Sequence, residues 1–331
     1  MNESFKNAAI AVLLIIAGAG VTLAADEPGD AGVVTQQVRP NFYMIAGAGA
    51  NIGVQVGEDG VVVVDAGSAS MSQEVVAAIK KITPKPIRYV VNTSADPDHV
   101  GGNEALAKAG KSFRSANPGG GGGGGGQPNI NGITILSTAE VLDRMGAPTG
   151  KQSAYPVAAW PTEAFFEPEK AFYLNDEGIE VVHEPAAHTD GDAIVFFRRS
   201  DVIMAGEILD TTRFPVIDIE KGGSIQGEID ALNQLVKMAI PSIPLVWKEG
   251  GTVVVPAHGF INEQSDVVEY RDMTIIIRDV VQDLIKQGKT LAQIKEANPT
   301  QGYRSRYGTD SGPWTTDMFV EAVYKSLTAK K

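Results

Sequence analysis

The chain holds four histidines, His99, His183, His188 and His258, and no cysteine. Three of the four follow apolar runs and stand among Gly, Asp and Thr. His99 closes the segment Asn92-Thr-Ser-Ala-Asp-Pro-Asp-His99, which Val-Gly-Gly-Asn103 follows; His188 opens His-Thr-Asp-Gly-Asp192; His258 lies in Pro256-Ala-His-Gly259. Asp98 and Glu207 occupy the same kind of position. Imidazoles and carboxylates drawn from separate loops at strand ends are the donors a divalent metal takes. Each loop alone reads equally well as a turn, because Asn, Asp, Ser, Pro and Gly favour turns on local grounds. Their recurrence in comparable places is what points to a site. His183 falls inside a strand-like run, where packing or exposure is the ordinary role. With no cysteine there is no thiolate ligand, disulfide or cysteine nucleophile.

These loops need strands and helices to hold them. Residues 41–45, 51–56 and 61–64 read as strands joined by Gly-rich and Asp-Gly turns, preceded by a loose segment. Val61-Val-Val-Val64 is apolar on both faces, so it is expected to be central and to end in Asp65. Residues 68–82 carry a helical period that Pro84 and Pro86 stop, and 87–91 form the next strand, leading into the Asn92 segment. A short helix over 103–109, a strand over 130–136 and a helix over 138–145 follow. Strands over 171–174, 179–184, 193–197 and 202–205 then repeat the pattern, with a helix over 225–238 and a strand over 252–255 that ends at His258. Helices over 267–286, 290–296 and 314–327 close the chain. The order is β-rich, helix, β, helix, stated twice, which predicts one α/β architecture of two similar halves.

On these residues the chain resembles the metallo-β-lactamase fold superfamily, whose first metal motif reads Asn-Thr-His-x-His-x-Asp-His-x-Gly-Gly. Asn92, Thr93, Asp98, His99, Gly101 and Gly102 match it; Ser94 and Asp96 stand where two histidines belong. His188, Glu207 and His258 match the later ligands by local context, with Glu207 in place of the usual aspartate, and the match runs from about residue 42 to 258. The resemblance implies a four-layer αβ/βα sandwich. It implies one metal position held by residues 94, 96 and 188 and a second held by Asp98, His99 and His258, with Glu207 between them and Asp65 supporting the loop. The full candidate set is therefore Asp96, Asp98, His99, His188, Glu207 and His258. Serine is a poor ligand, so the first position depends on Asp96. The flavodiiron branch of the superfamily has a carboxylate there. Zn2+, as one or two ions, is the cofactor implied; the donor set also suits Fe or Mn. The reaction implied is hydrolysis of a small ester, lactone, lactam or phosphoester by metal-activated water, with Asp98 orienting that water or taking its proton. An iron-dependent oxygenase or redox protein and a non-catalytic binding protein are the alternatives on the same fold.

The formal charge of −12 over 331 residues excludes a general nucleic-acid surface and leaves a small-molecule substrate as the expected partner. Residues 1–24 combine one lysine, a continuous run of apolar or small residues and a small-residue cleavage site, as in a secretory signal peptide. The expectation is a mature domain over 25–331, periplasmic or secreted, without a stable membrane span after processing. It would carry a Gly-rich surface loop near 117–128 and a C-terminal helical part over 266–331. Trp160, Phe165 and Phe166 suit a site wall, core packing or a homo-oligomer contact. Arg304, Arg306 and Trp314 suit either a pocket or ordinary surface pairing.

Overall fold

The fold is seen in a computed structural model that describes residues 32–112, 132–243 and 250–329. The expected signal peptide and the Gly-rich loop near 117–128 lie outside the described residues. Strands β1 (Val34–Arg39), β2 (Phe42–Ala46), β3 (Ile52–Val56) and β4 (Val61–Val64) form an antiparallel meander. Helix α1 (Ser72–Ile82) crosses over to β5 (Ile87–Val91), parallel to β4. Short helices α2 (Pro97–Val100) and α3 (Asn103–Ala109) precede β6 (Thr134–Thr138), parallel to β5. Helix α4 (Ala139–Gly146) and the hairpin β7 (Pro148–Thr149) and β8 (Gln152–Ser153) lead to β9 (Glu163–Phe165), which completes a seven-stranded sheet beside β6.

The second sheet has five strands. Strands β10 (Glu169–Leu174), β11 (Glu177–Glu184), β12 (Asp192–Phe197) and β13 (Val202–Met204) pair antiparallel in sequence order. The β10–β11 turn places Asn175 and Asp176 at positive φ, as a tight hairpin requires. Helix α5 (Ile225–Met238) then crosses to β14 (Val253–Val255), parallel to β13. Helices α6 (Gln264–Lys286), α7 (Leu291–Glu296), α8 (Arg304–Tyr307) and α9 (Thr316–Thr328) follow.

Three apolar layers bind the sandwich. Phe42, Val62, Val64, Val91 and Leu136 of the first sheet pack against Ile179, Val195, Phe197, Met204 and Val255 of the second. The outer face of the first sheet, through Val54, Val63 and Val90, is covered by Val75, Ile79 and Leu106 of α1 and α3. The outer face of the second, through Ile194, Ile203 and Val254, meets α5, α6 and α9 at Ile229, Leu232, Ile277 and Phe319. Both faces of β4 are therefore buried, which is why it reads as four consecutive valines. The result is the four-layer αβ/βα sandwich.

Some elements depart from expectation for local reasons. The loose segment before residue 41 is strand β1, whose first four residues are exposed. An edge strand with solvent on both sides has no need of alternating apolar residues. Strand β6 starts at Thr134 and extends to Thr138, whose hydroxyl accepts from Val141 N and caps α4. Tyr307 is buried, its ring close to those of Phe214 and Tyr270, and Trp314 donates to Pro215 O. Arg304 and Arg306 pair with Asp310 and Glu269. Among the described residues, no helix is long and apolar enough to cross a membrane.

Candidate metal centre

The candidate donors come from loops at one edge of the two sheets. Asp65 follows β4, the Asn92 segment follows β5, Glu207 follows β13 and His258 follows β14; these strands are pairwise parallel, so their C-terminal ends open on the same side. His188 reaches the same edge from the loop between β11 and β12, one strand further along the second sheet.

The Asn92 segment is held at both ends. Asn92 and Asn103 exchange amide hydrogen bonds of 3.1 and 2.8 Å, and Asn103 also donates to Ala159 O. Between them, Pro97 occupies the first helical position of α2, so Asp96 stays extended as the N-cap while Asp98 and His99 lie in the first turn. Gly102 lets this turn approach the strand beside it, since a Cβ there would lie 2.1 Å from Ala66 O.

Asp65 has a left-handed backbone, φ 62°, and spends its carboxylate on this segment. It accepts from Thr93 N at 2.8 Å and from the Thr93 hydroxyl at 2.7 Å, and its Oδ2 lies 2.9 Å from His99 Nδ1. With Nδ1 so engaged, His99 presents Nε2 to Glu207 Oε1 at 2.9 Å. His258 Nε2 stands 3.2 Å from the same oxygen and 3.3 Å from Asp98 Oδ2. One donor atom from each of Asp98, His99, Glu207 and His258 lies within 4.8 Å of all the others.

Two imidazoles and two carboxylates fit a divalent cation by type. Three of the six separations between their donor atoms, 2.9–3.3 Å, are near the roughly 3.3 Å between vertices of a tetrahedron with bonds near 2.0 Å, and all lie within 4.8 Å. These four residues would hold the ion, with Asp65 orienting His99. Among protein groups alone the same atoms form a charged network. Burial lowers the His99 pKa, but Asp65 and Glu207 overcome it and hold it well above its ordinary value. His258 is likewise opposed by burial, yet Asp98 and Glu207 push it up to about 9. Burial works against ionised Glu207, and hydrogen bonds from His258 and His99 hold it well below the usual carboxylate range.

The residues implied for the first metal position gather differently. Ser94 is buried, and its Oγ accepts from Asp96 N at 3.3 Å. His188 Nδ1 lies 3.4 Å from Asp192 Oδ1, and its Nε2 faces Asp96 Oδ2 at 3.6 Å. The other oxygen of Asp96 faces Lys221 Nζ at 3.8 Å. Asp96 and His188 therefore stand beside the four-residue cluster, in contact with each other and a lysine. Ser94 Oγ is tied to its own loop and one oxygen of Asp96 faces an ammonium, so this second set offers a cation fewer free donors than the first.

Asp192, Lys221 and Tyr155 were not singled out from the sequence. Asp192 carried a signal, the repeated acid in His-Thr-Asp-Gly-Asp; the other two carried none. The Tyr155 hydroxyl donates to Ala95 O at 3.1 Å, and burial, with Asp96 and Asp98 nearby, pushes its pKa up to about 12, so it stays a neutral donor beside the site. His183 lies apart, its Nε2 2.7 Å from Asp190 O.

A profile of the metallo-beta-lactamase superfamily matches residues 46–243. The chain belongs to that superfamily. Solved structures of the same fold include a metallo-beta-lactamase from Pontibacter korlensis, 15% identical over 73% of this chain and 98% of that one, TM-score 0.53. Another is the stereoselective inverting sec-alkylsulfatase Pisa1 from Pseudomonas sp., 15% identical over 88% of this chain and 50% of that one, TM-score 0.59. The chain thus spans about half the length of the sulfatase it matches. A comparison with curated protein sequences returned no match.

Proposed function

We propose that this protein is an exported metal-dependent hydrolase of a small ester, lactone, lactam or phosphoester. The observation that carries the reading is the convergence of Asp98, His99, Glu207 and His258 at one strand-end edge, with Asp65 orienting His99. A bound divalent cation, Zn2+ by donor type with Fe or Mn as alternatives, would supply Lewis acidity toward water and toward the developing oxyanion. The chain's own part is to fix that chemistry. Glu207 holds both ring nitrogens, and half-buried Asp98 lies on the solvent side of the cluster, where it can orient a water and take its proton. Hydrolases of the same fold, a lactamase and an alkylsulfatase, support the reaction class, and residues 1–24 support export.

The test is metal analysis of protein from the exported fraction, with its N-terminal sequence and assays on lactam, lactone, ester, sulfate-ester and phosphoester panels. Expected are a mature chain starting near Ala25, bound metal, and hydrolysis that disappears with the metal in His258→Ala. Protein that takes up no metal after loading, or binds metal and turns over nothing on the panel, defeats the reading.

A further inference from the structure

The two halves of the inherited site are finished in different ways, and the second finish has a geometry of its own. Lys221 ends a short 3-10 turn, Ile219–Lys221, that Asp218 caps by accepting from Glu220 N and Lys221 N at 3.1 Å each. That turn is fastened to the His188 loop by backbone: Asp218 N donates to His188 O and Asp190 N to Lys221 O, both at 2.9 Å. Gly223 permits the approach, since a Cβ there would lie 2.1 Å from His188 O. Arg144 adds a bond to Lys221 O at 2.8 Å. The ammonium is thereby held between Asp218 Oδ2 at 2.9 Å and Asp96 Oδ1 at 3.8 Å, while the other oxygen of Asp96 faces His188.

We propose that this chain is a single-metal protein in which the Lys221 ammonium takes the place of the first ion, neutralising Asp96 beside His188. The proposal rests on the reading of Asp98, His99, Glu207 and His258 as the ligands of one cation. A divalent ion between Asp96 and His188 would face a like charge on the far side of the same carboxylate and would lack a donor at Ser94, whose hydroxyl is turned to its own loop. Lys221 acts here as a positioning residue. It faces one oxygen of Asp96 while the other faces His188.

The experiment is metal stoichiometry by mass spectrometry after loading the mature protein with excess Zn2+ and dialysing, for the wild type, His188→Asn and Lys221→Gln. The wild type should hold one equivalent, and His188→Asn should still hold one. Lys221→Gln should take up a second, weaker equivalent, raising the metal content toward twofold at the highest Zn2+ concentrations. Two tight equivalents in the wild type, falling to one in His188→Asn, would overturn the proposal and leave the hydrolase reading standing. Failure of Lys221→Gln to gain metal overturns the role of the lysine. No metal in any of the three overturns the hydrolase reading, and the proposal with it.

Discussion

His99 and His188 lie on opposite flanks of one edge, and each has a carboxylate behind its ring, yet the flanks have different chemistry in front. His99 sits between Asp65 at 2.9 Å and Glu207 at 2.9 Å, and His258 and Asp98 close on the same point. His188 has Asp192 at 3.4 Å behind it and Asp96 at 3.6 Å ahead, and beyond Asp96 comes an ammonium. The first arrangement concentrates four donors on one spot. The second balances its charge with side chains already present. His99 stands in helix α2 and His188 in the β11–β12 loop, and residues 94, 96 and 221 give the second flank its different front.

The sharpest way to separate the flanks is to remove the carboxylate behind each ring. Asp65→Asn weakens the tautomer and orientation of His99 and is expected to lower Zn2+ affinity about 10–100-fold, the usual cost of losing such a partner. Asp192→Asn does the same to His188 and is expected to leave the affinity unchanged. Competition against a chromophoric chelator measures both. Equal losses would mean that His188 is a ligand after all and that the flanks are not distinct.

Much of this organisation is legible in the sequence because it is local. Four valines with both faces buried mark β4, and α5 shows its period through Ile229, Leu232 and Val236, of which the first two are buried and Val236 packs partly buried beside Leu235. Asp98 and His99 are readable because their motif depends on chain-neighbour geometry, and His258 because Pro256-Ala-His-Gly259 directly follows β14. What is not legible depends on distant contacts. Lys221 is one lysine before two glycines, and only the packing of its turn on the His188 loop puts it beside Asp96. Strand β1 lacks an apolar pattern because its first four side chains face water, and the role of Asp192 behind the His188 ring appears only once the loop is folded.

Acid–base behaviour gives a second, smaller separation. Without a bound cation, His258 and His188 are each pushed up to about 9 from an ordinary 6.5, burial being outweighed by Asp98 and Glu207 for the one and by Asp192 for the other. Histidines raised on folding contribute stability that is complete below pH 6.5 and lost as pH rises through about 9. Glu207 and Asp98, lowered despite burial, contribute stability that is lost as pH falls below the carboxylate range. The melting temperature of the metal-free protein should therefore fall between pH 6.5 and 9. Metal loading requires neutral rings at His99 and His258 and should release protons, leaving a shallower slope that belongs to His188 and to the buried acids Glu184 and Glu228. Melts of both forms in this window check it: an unchanged slope on loading would place the titration elsewhere.

The smallest expected effect lies beneath the His188 flank. Glu228 is fully buried in the first turn of α5, and neither of its carboxyl oxygens has a hydrogen-bond partner among the described residues. Burial, with Asp192, Glu207 and Glu184 nearby, holds its pKa well above the ordinary 4.5, which favours the uncharged acid. Glu184, under the same pressure from burial and from Asp230 and Asp192, is pushed up to about 7. An acid raised on folding costs stability progressively as pH climbs above its unfolded value, because the unfolded chain releases a proton that the folded chain keeps. Glu228→Met should stabilise the protein by about 1–3 kcal/mol by removing unsatisfied polar atoms, and Glu228→Gln should flatten the alkaline fall without that gain. Urea melts at pH 5 and pH 8 separate the two. If Glu228→Met destabilises at both, the carboxyl has a structural partner, and the acids behind His188 are tied into the fold as firmly as Asp65 is behind His99.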